Sequence, residues 1–320
     1  MDIIIVCHTE FGHVVHGRGI QKCVPLKSSV QGVEEGVKSL VQVADAFGAK
    51  VTFAVMPETV RSFPDVTHEI GLHVHPGWVE IDTAGTNYVV GDAWLREHCK
   101  QSKDSAFLVD YPFSEQLEMI KAGKDHLLDS LGIEPKVFVA GMWSLNNDTV
   151  KALVSTRFSH ECSAVAHAKT AAYDWSRISR ICTPYHPYTD DYQKRGSMPL
   201  LIVPISQMLL GGSVNPEAVP KRGLSWLKAC FLEYFQQNLP TFHICLHSQC
   251  MTDPFFVEAM RSLLQFISKY EVQFRFASEI TEDRAVRAQT KLLPYLRAIN
   301  RKTLRPAALS AAGKAKQLFT

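Results

Sequence analysis

Residues 3–10 read Ile-Ile-Ile-Val-Cys-His-Thr-Glu, and this stretch decides the fold. Four β-branched residues in a row predict a strand that is buried on both faces, as strands of a parallel sheet are. Polar side chains follow at once, at His8, Thr9 and Glu10. In barrels of parallel strands, the loops and strand ends on the carboxyl side form the functional site. We therefore predict that Ile3–Cys7 is a strand whose end lies in such a site.

Further apolar runs follow along the chain, separated by amphipathic stretches of helical period. Strands that alternate with helices predict β-α units around a parallel sheet. About eight strands in this length favour an α/β fold, a distorted (β/α) barrel of seven or eight strands in a single domain, with an open sheet as the alternative. The other predicted strands are 50–56, 70–75, 136–140, 158–163, 200–205, 241–247 and 273–277, and the predicted helices are 33–46, 115–131, 146–153, 224–237 and 254–270.

Charge is spread unevenly over the 320 residues. The net charge is only +2, which argues against a chain that binds nucleic acid along its length. Residues 284–320 hold nine Lys or Arg and no acid, whereas residues 1–283 hold 25 basic and 32 acidic side chains. This pattern predicts a barrel over 1–283 and a basic C-terminal helix and tail over 284–320.

The basic segment permits two interpretations. Pro294 can begin a helix, in which Leu292, Leu296 and Ile299 share one stripe beside basic residues. The first interpretation is a helix that packs on the barrel and keeps its basic face in water. The second is peripheral contact with an anionic membrane surface or with a lipid-linked substrate.

Eight cysteines are present, and none forms a C-x-x-C pair. Several lie in apolar, strand-like runs, where a free thiol behaves as a small hydrophobic side chain. The first residues lack the basic segment and cleavage site of a signal peptide, and no run is long enough to span a membrane. We expect reduced thiols and a cytoplasmic protein, with the inner membrane as a possible peripheral contact.

A pair of histidines gives the strongest local signal. Residues 69–76 read Glu-Ile-Gly-Leu-His-Val-His-Pro, so His73 and His75 point to the same face of a strand that Pro76 ends. Two adjacent imidazoles form ligands for a divalent metal, with an ordinary polar strand end as the alternative. Glu10 can add a carboxylate, which leaves open positions, as in a catalytic site. We expect zinc, and these donors also accept iron, cobalt or nickel.

Other histidines are candidates for proton transfer or for metal binding. His247 ends the apolar run 243–246, and His8 shares a strand face with Glu10. Histidine both donates and accepts protons near neutral pH. His13 and His16 follow in the next loop, and we favour exposed loop positions for them over ligand positions.

Polar groups at three strand ends, in the order Glu, His-x-His and His, resemble the polysaccharide deacetylase family, also called the NodB homology or carbohydrate esterase 4-like family. The resemblance covers most of residues 1–280 and is strongest to the WbmS-type O-antigen deacetylases. The matching segments are 51–55 for the second strand, 68–76 for the His-x-His branch, 138–143 for the third motif, 183–187 with Asp190, Asp191 and Gly196 for a proline-aromatic loop, and 246–247 for the Leu-x-His motif.

The resemblance implies a metal-dependent hydrolase that removes an acyl group, expected to be N-acetyl, from a sugar in bacterial O-antigen (lipopolysaccharide) biosynthesis. An N-acylated sugar, a nucleotide sugar and a lipid-linked glycan are all open as substrates. For Trp143, core packing is the alternative to sugar contact. We assign the roles as follows: metal ligands for Glu10, His73 and His75, general base for His8 in place of the family's aspartate, general acid for His247, and sugar contacts for Trp78, Trp143, Tyr185 and His186.

Two departures from the family pattern matter. The family opens with an Asp pair or with Asp-x-Glu. In one alignment this chain has Thr9 and Glu10 at these positions, and in the other it has His8 and Glu10. Val139 stands where the third motif has an arginine. These departures leave two alternatives: a catalytically inactive, sugar-binding barrel, and a deformylase or esterase acting on a related sugar. A dinucleotide-dependent oxidoreductase is disfavoured, because no G-x-G-x-x-G follows a strand.

Overall fold

A computed structural model describes residues 1–17, 20–83, 86–282 and 288–299, with backbone alone for 17, 20–24, 81–83 and 86–88. Its strands are β1 Asp2–Thr9, β2 His13–Gly17, β3 Ile20–Val24, β4 Thr52–Val55, β5 Glu69–Val74, β6 Trp78–Thr83, β7 Thr86–Gly91, β8 Val137–Ala140, β9 His160–Glu161, β10 Pro187–Tyr188, β11 Asp191–Arg195, β12 Leu201–Ile202, β13 Thr241–His247 and β14 Gln273–Arg275. Its helices are α1 Val37–Asp45, α2 Ala93–His98, α3 Phe113–Leu131, α4 Asn147–Ser155, α5 Val219–Arg222, α6 Leu224–Phe235, α7 Pro254–Ile267 and α8 Leu293–Ala298.

The main sheet confirms the predicted distorted (β/α) barrel. Its strands are parallel, in the order β12-β9-β8-β5-β4-β1-β13, and they curl into a half-barrel with helices around it. The open side between β12 and β13 is bridged by irregular chain, since Ser206 N donates to His243 O (3.2 Å) and Cys245 N donates to Val214 O (3.1 Å).

Strand β1 is the most heavily paired strand of this sheet. It pairs with β13 along almost its whole length, with β4 at its carboxyl end and with β14 at its amino end. Its side chains alternate between two cores: Ile4 and Val6 lie in the barrel interior, whereas Ile3 and Ile5 belong to the larger core. Burial of both faces explains why the run is apolar throughout.

The two long connections contain hairpins of their own. β6 and β7 follow β5, and β10 and β11 precede β12. β2 and β3 form a third hairpin directly after β1. The sequence analysis predicted none of these short strands, so the loops above the barrel are more ordered than expected.

The C-terminal helix corrects one expectation. α8 packs through Tyr295 and Ala298, while Leu292, Leu296 and Ile299 are about half exposed, so the predicted apolar stripe faces solvent. The proposed boundary at 283–284 and the basic residues Arg301 and Lys302 lie outside the described residues. No helix within the described residues has the length and apolarity of a membrane span.

The cysteines correct another expectation. Cys250 is disulfide-bonded, so the prediction of reduced thiols is wrong at this position. Cysteine spacing alone does not show which cysteines pair, so the sequence pattern predicted no disulfide at this position. The described cysteines that are free are Cys7, Cys99, Cys162, Cys182, Cys230 and Cys245.

Candidate active site

Three predicted ligands meet at the carboxyl end of the half-barrel. Glu10 directly follows β1, His73 lies in β5, and His75 directly follows β5. Glu10 Oε1 lies 3.1 Å from His73 Nε2 and 3.3 Å from His75 Nε2, and all three side chains are buried. Parallel strands place their carboxyl ends at one edge, which is why residues more than 60 positions apart converge here.

Neighbouring groups hold two of these side chains in place. His73 Nδ1 donates to the carbonyl oxygen of Val139 (3.0 Å), which directs Nε2 at Glu10. Gln249 Nε2 donates to Glu10 Oε2 (3.0 Å), and the Glu10 backbone N–H donates to Ser248 Oγ (3.2 Å). Outer contacts of this kind orient the ligands of metal sites.

The protonation states suit a cation. Burial opposes the charge of Glu10, but hydrogen bonds from His73 and His75 outweigh it and hold the pKa of Glu10 well below its usual range. Burial lowers the pKa of His75 to about 4, so the ring is neutral at pH 7. A carboxylate and neutral imidazoles are the forms that bind metal. The donor set of Glu10, His73 and His75, within 4.8 Å of one another, therefore fits a divalent transition metal.

His8 lies between two other histidines. Its ring centroid is 4.7 Å from that of His73 and 4.8 Å from that of His247, and its Nε2 lies 3.4 Å from Cys245 Sγ. Burial, followed by the nearby charges of His73 and His247, lowers the pKa of His8 well below its usual range. The ring is therefore neutral at pH 7 and has a free lone pair.

His247 has a carboxylate partner that sequence reasoning missed. Its Nδ1 donates to Glu217 Oε1 (2.8 Å), and its backbone N–H donates to the same oxygen (2.9 Å). Burial alone would lower the pKa of His247, but the Glu217 carboxylate outweighs it and raises the pKa to about 9. Glu217 lies in a single turn, Pro216–Ala218, that Asn215 caps by accepting from Ala218 N (2.7 Å). This turn does not directly follow a strand-like run, so the sequence pattern did not identify Glu217 as a site residue.

A cavity of about 850 Å³ opens in front of these groups. His8, Glu10, His75 and His247 line it, together with Glu217 and Gln249. Small-molecule sites combine apolar walls with a few polar groups, as this cavity does. The apolar walls include Phe11, Pro25, Met56, Val89, Val90, Met142 and Trp143.

Two wall residues have strained backbones. Met142 and Trp143, which follow β8, have φ values of 52° and 53°. The left-handed region is unfavourable for such large side chains, and strain of this kind is concentrated at functional sites. The strained turn places Trp143 in the wall of the cavity.

The other predicted sugar contacts do not line this cavity. Tyr185 is 99% buried in the main core (1% exposed), where its hydroxyl donates to Tyr192 O (2.8 Å), so its prediction as a sugar contact is wrong. His186 Nδ1 donates to the Met198 carbonyl (2.9 Å). Trp78 pairs with Gly91 across the β6–β7 hairpin. The residues that line the cavity do not include these three, which the sequence pattern does not show.

The loop histidines lie apart from the metal-ligand cluster. His13 Nδ1 forms a hydrogen bond with Ser29 Oγ (3.0 Å), and His16 Nε2 lies 2.7 Å from Asp253 Oδ2. Both residues lie in strand β2, which corrects the expectation of loop positions: the chain after Glu10 continues into a hairpin, in which His16 is exposed and His13 is partly buried.

No protein-family model matches this sequence, and no curated protein matches it either. Similar solved structures include a protein from Mycobacterium smegmatis assigned as a polysaccharide deacetylase, with 17% identity, a TM-score of 0.54, and coverage of 90% of this chain and 94% of that one. A Pseudomonas aeruginosa PAO1 protein with the same assignment has 14% identity, a TM-score of 0.54, and coverage of 87% and 88%. The PuuE allantoinase has 15% identity, a TM-score of 0.55, and coverage of 87% and 88%.

At these identities the likeness shows the fold alone. The same architecture holds proteins named for different activities, so the function of this chain has to be argued from its own site.

Proposed function

We propose that this protein is a metal-dependent hydrolase that removes an acyl group, N-acetyl in the first instance, from an amino sugar. One observation carries the proposal: Glu10, His73 and His75 converge at the cavity, beside the His247–Glu217 pair. Two imidazoles and a carboxylate are a catalytic donor set, because they leave positions open for water and substrate. The resemblance of this set to that of polysaccharide deacetylases supports the same reading.

Glu10, His73 and His75 would hold the metal, expected to be zinc. When bound, such an ion polarises an acyl carbonyl and lowers the pKa of water toward neutrality. Two hydrogen bonds hold the ligand side chains in position: Val139 O orients the ring of His73, and Gln249 orients the carboxylate of Glu10.

The remaining groups move protons. The neutral ring of His8 accepts a proton from water as the water oxygen forms a bond to the acyl carbon. His247, kept protonated by Glu217, gives its proton to the sugar nitrogen as the C–N bond breaks. The products are a carboxylic acid and a free amine. A positioned acid or base of this kind contributes roughly 10²- to 10⁴-fold.

Metal content of the purified protein tests the donor set. We expect about one equivalent of transition metal in the wild type and almost none in a His73→Ala/His75→Ala double variant. A His13→Ala/His16→Ala variant removes two histidines of the neighbouring strand β2 and should keep its metal.

Product analysis then separates the reactions. Acetate released from N-acetylated sugars supports the proposal, whereas formate, or acid without a new amine, points to deformylation or ester cleavage. If the wild-type protein binds no metal after incubation with zinc, cobalt, nickel or ferrous iron, the hydrolase proposal is wrong and the sugar-binding barrel remains.

The setting of the reaction also belongs to the proposal. The family resemblance favours O-antigen assembly, and the cysteines within apolar strands favour the cytoplasm, whereas the disulfide at Cys250 fits an oxidising compartment better. Mass spectrometry of protein alkylated in denaturant separates the two: eight alkylated thiols support the cytoplasm, and fewer oppose it.

We further propose that residues 284–320 form a basic element that contacts an anionic membrane. The supporting observation is the exposed apolar face of Leu292, Leu293, Leu296 and Ile299, next to Arg297. An apolar face beside basic residues is typical of helices that lie on membrane surfaces.

A further inference from the structure

The histidine cluster at the cavity contains a second group of metal donors. Among the described residues, two groups of three side chains each bring one donor atom per residue to within 4.8 Å of the others. The first group is Glu10, His73 and His75, and the second is His8, Glu10 and His247. Glu10 belongs to both groups, so the two positions lie side by side. Pairs of neighbouring divalent ions occur in phosphatases, nucleases and aminopeptidases.

Outer contacts hold both imidazoles of the second group. His247 donates through Nδ1 to Glu217 Oε1 (2.8 Å), which leaves Nε2 as its ligand nitrogen. Histidines that bind metal almost always donate their other ring N–H to a carboxylate, a carbonyl or water. The ring of His8 has a neighbour of its own, because its Nε2 lies 3.4 Å from Cys245 Sγ. Both rings are therefore oriented before any ion binds.

The second group faces the cavity, whereas the first lies deeper. His8, Glu10 and His247 all line the cavity, and the side chain of His247 is 24% exposed. His73, a member of the first group, is fully buried and does not line the cavity. A divalent ion in solution can therefore reach the second group through the cavity after the first position has been filled.

Charge determines the order in which the two positions fill. Among the described residues that line the cavity, the carboxylates are Glu10 and Glu217, and the one lysine, Lys27, is paired with Glu58. One divalent ion balances both carboxylates, so a second ion binds against a net positive charge. The second ion must also displace the proton of His247, since imidazole binds metal in its neutral form. The second ion is therefore the more weakly bound of the two.

We infer that His8, Glu10 and His247 form a second, weaker metal site, at which a further divalent ion inhibits the enzyme. An ion at this site binds the lone pair of His8 and replaces the proton of His247, so neither group can transfer a proton. The inhibition rests on the proposed deacylation, whereas the site itself rests on the geometry of the three side chains. Protein purified without added metal keeps the tightly bound equivalent alone, and the concentration of free metal then controls the activity.

Calorimetric titration of zinc into the metal-free protein counts the sites. The wild type should bind two equivalents, the second at least about tenfold more weakly, which corresponds to at least about 1.4 kcal/mol. His247→Ala should keep the tight equivalent and lose the weak one. His8→Ala should do the same, and a cooperative thermal unfolding transition identifies the variants that are folded. His98→Ala/His126→Ala removes two histidines that stack on Trp94, and as the matched control it should keep both equivalents.

Acid release from N-acetylated amino sugars gives the second readout. In the wild type, the rate should rise with the first equivalent of zinc and fall as the second equivalent binds. Two equivalents without acid release at any zinc concentration support the second site, and in that case the proposed function alone fails.

Three results overturn the inference while the proposed function stands. They are a single equivalent in the wild type at any excess of zinc, a weak equivalent that both His8→Ala and His247→Ala retain, and full activity with two equivalents bound. A wild type that binds no zinc overturns the inference and the proposed function together.

Discussion

Gly141 lies directly against the imidazole ring of His75. A Cβ atom built on Gly141 would come within 2.5 Å of both Cγ and Nδ1 of that ring. This is closer than any real Cβ contact allows, so the ring position depends on the absence of a side chain at 141. The turn that follows β8 therefore determines the position of His75, which follows β5.

Replacing Gly141 by Ala should therefore displace His75 and weaken metal binding. Because misplaced ligands lose their geometry, we expect a loss of about 10- to 100-fold in metal affinity, as found when outer contacts of metal ligands are removed. Competition with a chelator measures this. Gly48→Ala is the control, since that Cβ meets nothing within 4 Å; the φ of Gly48 is 61°, so this variant adds backbone strain without a clash. Equal metal affinity in wild type and Gly141→Ala would contradict the prediction.

Glu217→Gln should change the pH dependence of the reaction. The wild-type pKa of His247 is about 9, because Glu217 stabilises the protonated ring. A general acid must be protonated, so the rate falls as pH rises through this pKa. Without the carboxylate charge the pKa is lower, and the alkaline limb of the kcat profile should move to lower pH. If the alkaline limb of the kcat profile has the same pKa in Glu217→Gln as in the wild type, a group other than His247 is the acid.

The same pair predicts a pH dependence of stability in the metal-free protein. The Glu217 carboxylate raises the folded-state pKa of His247 to about 9 from its ordinary value of 6.5. The pair thus stabilises the fold fully below pH 6.5, and this contribution is lost as pH rises to 9. Urea unfolding at pH 6 and pH 9 should show a larger loss of stability for wild type than for Glu217→Gln. Equal losses in both proteins argue against the pair.

Glu233→Ala should destabilise the protein strongly. Glu233 is fully buried, pairs with Arg180, and accepts from the Tyr295 hydroxyl (2.8 Å), which ties α6 to α8. Removing one partner of a buried ion pair leaves an uncompensated charge and costs about 3–5 kcal/mol. Asp191→Ala breaks the exposed pair with Arg177 and should cost less than about 1 kcal/mol. Urea unfolding curves measure both, and similar losses would refute the prediction.

A Leu292→Glu/Leu296→Glu variant tests the membrane proposal. Both side chains are more than half exposed, so the change should leave the fold intact. Each leucine that inserts contributes roughly 1.5–3 kcal/mol, so pelleting with anionic vesicles should fall at least about tenfold. Leu128→Glu, at a 41% exposed leucine of α3, is the matched control. If the double variant pellets like the wild type, the helix does not bind the membrane.

The sequence predicts the strands of the main sheet well, because a strand that is buried on both faces is a continuous run of apolar residues. The run from Ile3 and the run that ends at His247 are strands as expected. Convergence of Glu10 with His73 follows from parallel pairing, which brings strand ends to one edge. β9 and β12 are shorter than predicted, with two residues each, because only part of each apolar run finds a strand partner.

Loop positions were less predictable. Glu217 reaches His247 from a single turn, and nothing in its local sequence indicates that contact. Tyr185 lies in an aromatic loop that suggests a sugar contact, yet its ring fills the core. Local pattern gives the period of a segment, whereas the path of a loop depends on distant parts of the chain that it packs against.

The pairing of β1 determines when the site can exist during synthesis. Strand β1 has its main partner in β13 and its amino-end partner in β14, more than 230 residues later in the chain. Long-range pairings of this kind must wait for the whole intervening chain and slow folding. His247 ends β13, and Gln249 follows two residues later. The nascent chain therefore holds Glu10, His73 and His75 long before it holds the proposed acid, His247, and the candidate site can form only after β13 has been synthesised.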